Sequence, residues 1–125
     1  GSVIIDKQNN IISSNGNRII ELSDPTAHAE ILCIREATKK LKNERLIDCS
    51  IFSTLEPCTM CATAISLARI KTLYFSAFDT KNGAVENGIK FYNSKICNHK
   101  PDFFGGFNEK KSSDLLKTYF AKKRV

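Results

Sequence analysis

The sequence lacks the features that mark membrane, secreted and modular proteins. It has no apolar run near the roughly 20 residues that a membrane span needs. Its first five residues are far too short for a signal peptide, and no linker or internal repeat divides it. With 125 residues, 42% of them hydrophobic, the chain is predicted to form a single domain over residues 1–125 with a core of its own.

Cysteine and histidine are scarce. The five cysteines are an odd number, so they do not form a complete disulfide framework, and they suit a reducing cytoplasm better than the cell exterior. Only two histidines occur, His28 and His99. Three of the cysteines are expected to be ordinary buried small residues: Cys33, Cys49 and Cys97.

The other two cysteines and one histidine form a pattern that carries chemistry. His28 and Glu30 are followed about thirty residues later by Cys58 and Cys61, which lie three positions apart directly after Pro57. Zinc prefers four tetrahedral ligands drawn largely from Cys and His, and three protein ligands leave the fourth position to a water whose pKa falls to near ~7. The sequence therefore predicts one zinc ion per chain, held by His28, Cys58 and Cys61, and hydrolytic chemistry.

Local signals place these ligands at helix N-termini. Pro57 is of the residue type favoured at the first helical position, and a spacing of three puts Cys58 and Cys61 on one side of a helical turn. The positive end of the helix dipole lowers thiol pKa values and keeps such ligands anionic. His28 is expected in the first turn of a second helix, where Glu30 points away from it and suits a proton carrier better than a ligand.

Two other interpretations use the same residues. A Cys-x-x-Cys pair in an intracellular protein is as often a redox pair as a metal pair, although a redox pair needs no histidine and glutamate upstream. A closed structural zinc site needs a fourth protein ligand, and no candidate recurs at a second metal-type spacing; the candidates are His99, Cys33, Cys49 and Cys97. Taken together, the motifs favour a catalytic site in which Glu30 is the catalytic residue.

The order His-Ala-Glu, then Pro-Cys-x-x-Cys, resembles that of the cytidine-deaminase-like zinc deaminases, a signature already known for these enzymes. Among them, the chain is most similar to the family of bacterial tRNA-specific adenosine deaminases. The similarity covers nearly the whole chain and rests on four stretches: Asp24-Pro-Thr-Ala-His-Ala-Glu-Ile31, Thr54-Leu-Glu-Pro-Cys-Thr-Met-Cys61, Phe78-Asp-Thr-Lys-Asn-Gly-Ala84, and the tail from Asn98-His-Lys-Pro101 through Gly105-Gly106 to Leu115-Leu116 and Tyr119-Phe120.

The resemblance implies a fold and an activity. The expected fold is α/β, a three-layer α/β/α sandwich around a central mixed sheet of about five strands, with zinc between the two ligand-bearing helices. The expected activity is deamination of the wobble adenosine to inosine in a tRNA anticodon loop, by a cytoplasmic homodimer. Family members begin with a helix and a strand containing Pro-Val-Gly-Ala, whereas this chain opens at Gly1-Ser2-Val3. We therefore expect either a shortened N-terminus or a Gly1-Ser2 remnant of cloning.

The resemblance also implies roles for single residues. Glu30 is expected to take a proton from water and to hand it to the ring nitrogen beside C6 of adenine. Asn17, eleven residues before His28, matches the family asparagine that hydrogen-bonds the base; alternatively, it is a turn residue beside Gly16. Asp79 matches a family position near the bound RNA backbone; alternatively, it only ends a strand.

The excess positive charge is confined to the C-terminal part of the chain. Residues 1–89 contain ten Lys/Arg and ten Asp/Glu, while residues 90–125 contain nine and three, which accounts for the whole net charge of +6. Leu115-Leu116 and Tyr119-Phe120 predict an amphipathic helix there. Its basic tip is predicted to contact tRNA phosphates, or alternatively to be a solvated helix end whose cations complement the dipole. The basic tip consists of Lys122, Lys123 and Arg124.

Periodicity and turn residues predict alternating strands and helices, which indicate an α/β layered domain. The cap candidates for the first helix are Asp24 and Thr26. The predicted elements are a hairpin of residues 3–5 and 11–12 about a turn at 6–10, helices at 26–41 and 58–69, strands at 50–55 and 72–76, a partly helical surface excursion at 80–100, and a last short strand within 102–107 before the terminal helix.

Two further functions stay open beside the RNA activity. A small-molecule deaminase of guanine, cytosine or a nucleoside uses the same zinc chemistry and does not need a basic tail. A non-catalytic zinc or redox module leaves Glu30 and the three-ligand count unexplained. An assay that compares tRNA with guanine, cytosine and free adenosine separates these functions.

Overall fold

Five strands form one mixed sheet in the computed structural model, which describes residues 1–106. The predicted terminal helix and its basic tip, Lys122, Lys123 and Arg124, lie outside the described residues. The elements in chain order are β1 (Ser2–Ile5), β2 (Ile11–Asn15), α1 (Ala29–Leu41), β3 (Ser50–Leu55), α2 (Thr59–Leu67), β4 (Thr72–Ala77), a 3₁₀ turn (Phe91–Asn93) and β5 (Asp102–Phe104).

The order of the strands in the sheet is β2-β1-β3-β4-β5. Strand β1 pairs antiparallel with both β2 and β3, whereas β3, β4 and β5 run parallel to one another. Parallel neighbours need a crossover connection, and α2 supplies it between β3 and β4. The carboxyl ends of these two strands therefore meet at one edge of the sheet, the edge from which α2 starts.

The predicted hairpin is confirmed, and Asp6 organises its turn. Oδ1 of Asp6 accepts hydrogen bonds of 2.9 Å from the backbone N–H groups of both Gln8 and Asn10. Asn9 adopts a left-handed φ of 66°, a conformation that asparagine tolerates better than most residues. The turn thus fixes the pairing of β1 with β2 without a glycine.

Both helices pack against the same face of the sheet. The core residues that α1 and α2 contribute are small or β-branched, which lets the helices lie close to the strands: Cys33 and Ala37 from α1, and Ala62 and Ile65 from α2, all with no exposed surface. They meet Ile4, Ile51, Leu73 and Phe75 of the three central strands. This shared packing sets the position of one helix start relative to the other.

The opposite face of the sheet is also apolar. Val3, Ile5 and Phe52 are buried there, and the Phe52 ring stacks on Tyr74 with centroids 4.7 Å apart. The α/β class and the five-stranded mixed sheet are therefore as predicted. The second helical layer of the predicted sandwich stays a prediction.

The predicted element boundaries were wrong by one to three residues at several points. Helix α1 starts at Ala29, because the cap candidates Asp24 and Thr26 bond to each other instead: Oδ1 of Asp24 accepts from the Thr26 N–H at 2.8 Å and from its hydroxyl at 2.7 Å. The excursion at 80–100 is partly helical, as expected, through a single 3₁₀ turn. None of the helices described within residues 1–106 is both long and apolar enough to cross a membrane.

Candidate active site

The zinc-ligand candidates occupy the N-cap positions of the two helices. His28 is the N-cap of α1 and Cys58 is the N-cap of α2, both with extended backbone (ψ 153° and 177°). Pro57 therefore precedes the cap and is not the first helical residue, which corrects the sequence-based expectation. Neither helix has a side-chain cap hydrogen bond. The positive ends of both helix dipoles point at the same place, which favours anionic ligands.

The three donor atoms converge although they come from different elements. Nδ1 of His28 lies 3.7 Å from Sγ of Cys58 and 3.5 Å from Sγ of Cys61, and all three atoms lie within 4.8 Å of one another. Tetrahedral zinc with bonds of about 2.0–2.3 Å places a nitrogen and a sulfur ligand about 3.6 Å apart. The donor types and their separations therefore fit one zinc ion with three protein ligands.

The two thiols differ in their protonation chemistry. The pKa of Cys58 is lowered to about 5, first because its sulfur accepts a hydrogen bond from the Cys61 thiol, and further by the backbone N–H groups of Cys61 and Met60 and by the charge of His28. The pKa of Cys61 is raised, because its thiol is the donor to Cys58 and because it is buried. The Cys58 thiolate is thus formed readily at neutral pH, as a metal ligand must be.

Glu30 lies beside this donor group. Its negative charge contributes to raising the pKa of the Cys61 thiol, after the effects of Cys58 and of burial. Glu30 is in the first turn of α1 and lines the same cleft as His28 and Cys58. It is therefore a carboxylate within reach of the donor group that remains open to a ligand in the cleft.

The cleft has a volume of about 630 Å³ and also includes the two candidate substrate residues. Asn17 lines the cleft, and its Oδ1 accepts a 3.0 Å hydrogen bond from the N–H of Ile19. Asn17 therefore has both the turn contact and the cleft position that the sequence offered as alternatives. Asp79 also lines the cleft, and its Oδ1 accepts from the N–H groups of Lys81 and Asn82 at 3.0 and 2.9 Å. The amide nitrogen of Asn17 and the second oxygen of Asp79 are the atoms left for a ligand.

The alternative fourth ligands lie apart from the donor group. Nε2 of His99 lies 2.8 Å from the carbonyl oxygen of Ile70, and the Cys97 thiol bonds to the carbonyl of His99. Cys33 bonds to the carbonyl of Ser2, and burial is the main cause that raises the pKa of Cys49. Within residues 1–106, the only group of three or more potential metal ligands is His28, Cys58 and Cys61. A closed four-ligand structural site gains no support from this arrangement.

One residue of the cleft was missed by the sequence reasoning. Glu56 is 2% exposed, although it directly precedes the Pro57-Cys58 segment and borders the cleft. Burial alone would raise its pKa, but hydrogen bonds, led by that from the Asn87 side chain, together lower it. A glutamate between a strand and a helix start is a weak sequence signal, because most such residues face solvent.

Comparisons with known proteins agree with this site. Residues 1–77 match the family model of the cytidine and deoxycytidylate deaminase zinc-binding region. The tRNA-specific adenosine deaminase of Agrobacterium fabrum is 50% identical over 92% of this chain and 76% of its own length. A structure from a study of A-to-I editing by tRNA:A34 deaminases is 48% identical, with a TM-score of 0.85 over 92% of this chain and 83% of that one. The guanine deaminase of Bacillus subtilis is 29% identical, with a TM-score of 0.62 over 99% and 78%. The chain therefore belongs to the family of the bacterial tRNA-specific adenosine deaminases, within the group that shares the cytidine and deoxycytidylate deaminase zinc-binding region.

Proposed function

We propose that this protein deaminates the wobble adenosine of a tRNA anticodon loop to inosine, with one zinc ion held by His28, Cys58 and Cys61. The observation that carries the proposal is the convergence of these three donors with Glu30 in one cleft. The 50% identity to a tRNA-specific adenosine deaminase supports the choice of substrate. An anticodon loop presents unstacked bases, which an enzyme of this kind can take into a pocket.

Each residue of the cleft has a part in the proposed reaction. Zinc, when bound, acidifies a water molecule to a pKa near ~7. Glu30 would take a proton from that water and hand it to the ring nitrogen as the water oxygen bonds to C6 of the base. It would then move the second proton of that oxygen to the amino group, so that the C6–N bond breaks and ammonia leaves. The amide nitrogen of Asn17 donates a hydrogen bond to the base, and Asp79 meets the RNA backbone. The basic tip, Lys122, Lys123 and Arg124, adds phosphate contacts.

The proposal extends to the assembly and location of the protein. A homodimer is supported by two neighbouring apolar side chains, Leu67 and Ile96, which are 70% and 75% exposed and border one small depression. A contiguous exposed apolar patch can mark a protein–protein contact. Sedimentation equilibrium tests this, since a monomer at micromolar concentration would contradict it. The proposed location is the cytoplasm, where bacterial tRNA is found.

The test of the function is a substrate comparison. Zinc-loaded protein is incubated separately with tRNA, an anticodon stem-loop, guanine, cytosine and free adenosine, and the products are separated by mass. Inosine at the wobble position, with the free bases unchanged, is the expected result. Rapid turnover of guanine or cytosine with none on tRNA would assign the protein to small-molecule deamination, which the same donor group can also perform.

A further inference from the structure

Glu56 is a buried anion that the proposed reaction does not use. Neither salt bridge found among the described residues, Arg18–Glu21 and Arg35–Asp24, involves it. A buried charge without a cation is costly unless hydrogen bonds replace its water. Hydrogen bonds replace water around Glu56, because its Oε2 accepts from three successive backbone N–H groups. The donors are Val85 at 3.0 Å, Glu86 at 2.9 Å and Asn87 at 3.0 Å.

The other carboxylate oxygen binds the same part of the chain. Oε1 of Glu56 accepts a 3.1 Å hydrogen bond from the N–H of Asp79 and a 2.7 Å hydrogen bond from Nδ2 of Asn87. All five donors thus belong to residues 79–87, which we call the clamped segment. Successive backbone N–H groups form a concave site for an anion, and in this protein the anion is one of its own side chains.

The clamped segment is seated tightly against the start of α2. The N–H of Ala84 donates to the carbonyl of Pro57 at 3.0 Å, and Gly83 pairs with Cys58 in an isolated β-bridge. A Cβ added at Gly83 would collide with the carbonyl oxygen of Asp79 and with the carboxylate of Glu56. No larger residue fits at this position without displacement of the segment.

The same segment forms one wall of the cleft. Asp79 and Asn82 both line the cleft. The zinc-ligand candidates and Glu30 belong to the starts of α1 and α2 and not to this segment. A cleft of about 630 Å³ is in the range that holds a whole drug-sized ligand, so the wall formed by the clamped segment is available to groups beyond the reacting base.

We propose that Glu56 is a positioning residue whose buried carboxylate holds the clamped segment against α2, and so places Asp79 and Asn82 where they meet the RNA strand beside the target base. The RNA part of this inference rests on the proposed function, whereas the clamp itself does not. Loss of the clamp weakens RNA binding while zinc and the chemistry at Glu30 remain.

Glu56→Gln tests the clamp without reference to activity. The glutamine oxygen can accept from the three N–H groups at the Oε2 position, but its amide then faces two donors at the Oε1 position, Asp79 N–H and Asn87 Nδ2. Hydrogen exchange of zinc-loaded protein is expected to show the amides of residues 79 and 85–87 exchanging at least about tenfold faster in the variant. Unchanged exchange of these amides would overturn the clamp.

Kinetics on an anticodon stem-loop test the placement of the cleft wall. Glu56→Gln is expected to raise KM by about tenfold or more while kcat changes by less than about threefold. A raised KM with a nearly unchanged kcat means that the variant has lost RNA binding and not chemistry. Gly83→Ala displaces the same segment with Glu56 intact and is expected to show the same split. Ser13→Ala removes a buried 2.9 Å hydrogen bond to the Cys33 carbonyl elsewhere and is expected to leave KM unchanged.

A double variant separates a specific contact from general destabilisation. In the wild type, Nδ2 of Asn87 donates to Oε1 of Glu56 at 2.7 Å. In Glu56→Gln with Asn87→Asp, the glutamine amide can donate to the new carboxylate instead, so the double variant is expected to have a lower KM than either single variant. An unchanged KM in both Glu56→Gln and Gly83→Ala, or loss of zinc from Glu56→Gln, would overturn the positioning role. If wild-type protein deaminates no RNA, the proposed function fails, while the exchange experiment still decides the clamp.

Discussion

Nδ1 of His28 lies 3.5 Å from Sγ of Cys61, although 33 positions separate the two residues in the chain. The contact exists because α1 and α2 pack on one face of the sheet with their N-termini at the same edge. The donor group is thus a product of tertiary packing, and the Cys-x-x-Cys motif supplies only two of its three members. This relationship leads directly to the first prediction.

Purified protein is expected to contain about one zinc per chain, and both Cys58→Ser and Cys61→Ser are expected to lose it, because a hydroxyl replaces a thiolate ligand. Metal analysis after dialysis measures this. Cys97→Ser is the matched control, since its thiol bonds to the His99 carbonyl and is not part of the donor group. Absence of zinc from the wild type would remove the basis of the mechanism, and retention in both ligand variants would reassign the ligands.

Glu30→Gln is expected to separate chemistry from binding. The change keeps the size of the side chain and removes its ability to accept and release a proton. Zinc content and stem-loop affinity should stay at wild-type values while turnover falls by at least ~10²-fold, the usual scale for an acid–base group. Glu36→Gln is the control on the same helix, because Glu36 is exposed and bonds to Asn15. Wild-type turnover by Glu30→Gln would exclude the catalytic role, and loss of zinc would make Glu30 a ligand.

The stability contributed by Glu56 is expected to depend on pH. Burial, the largest single influence, would raise the pKa of Glu56, but the hydrogen bonds from Asn87, Asp79 and Val85 together lower it. A lowered folded-state pKa means that the contribution is complete above the unfolded value of about 4.3 and is lost as the pH falls through the folded value. Urea unfolding should therefore show the largest difference between wild type and Glu56→Gln at pH 7, narrowing below about pH 4. A difference that is constant from pH 7 to pH 3 would show that the charge does not contribute.

Neutralising the basic tip is expected to weaken RNA binding specifically. With Lys122, Lys123 and Arg124 changed to Gln, stem-loop affinity should fall. The slope of log affinity against log salt concentration should become shallower by up to about two, because each lost phosphate contact accounts for roughly 0.7. Zinc content should not change. The equal-charge control is Lys39, Lys40 and Lys42 changed to Gln, at the end of α1 farthest from the cleft. Wild-type affinity and salt slope in the tip variant would leave the tip as a solvated helix end.

The sequence was sufficient to predict what depends on local chemistry. The donor types, their spacing and their location at helix starts follow from residues that are close in the chain, as do the strands at β3 and β4. The exact caps were predicted wrongly, because Asp24 could satisfy Thr26 in a turn as well as cap a helix. No local pattern reveals which of these two roles Asp24 takes.

The role of Glu56 could not be predicted, because all its donors lie 23 to 31 residues later in the chain. Only the parallel pairing of β3 with β4 brings the clamped segment beside the start of α2. A turn rich in Asn and Gly, such as residues 80–88, indicates a surface loop and gives no sign that its N–H groups face inward. Gly83 was the available hint, since a glycine can mark a close approach of backbone to another group.

The N-cap positions held by His28 and Cys58 have a consequence for the stability of the two helices. Ser, Thr, Asp or Asn at such a position stabilises a helix by about 1 kcal/mol relative to residues that do not cap, and neither helix here has a side-chain cap bond. Both helices therefore lack the stabilisation of a capping side chain, because their N-cap positions are occupied by zinc-ligand candidates. Each position therefore serves metal binding at the expense of helix capping, so Ser or Thr at either one is expected to cap its helix and to remove a zinc ligand.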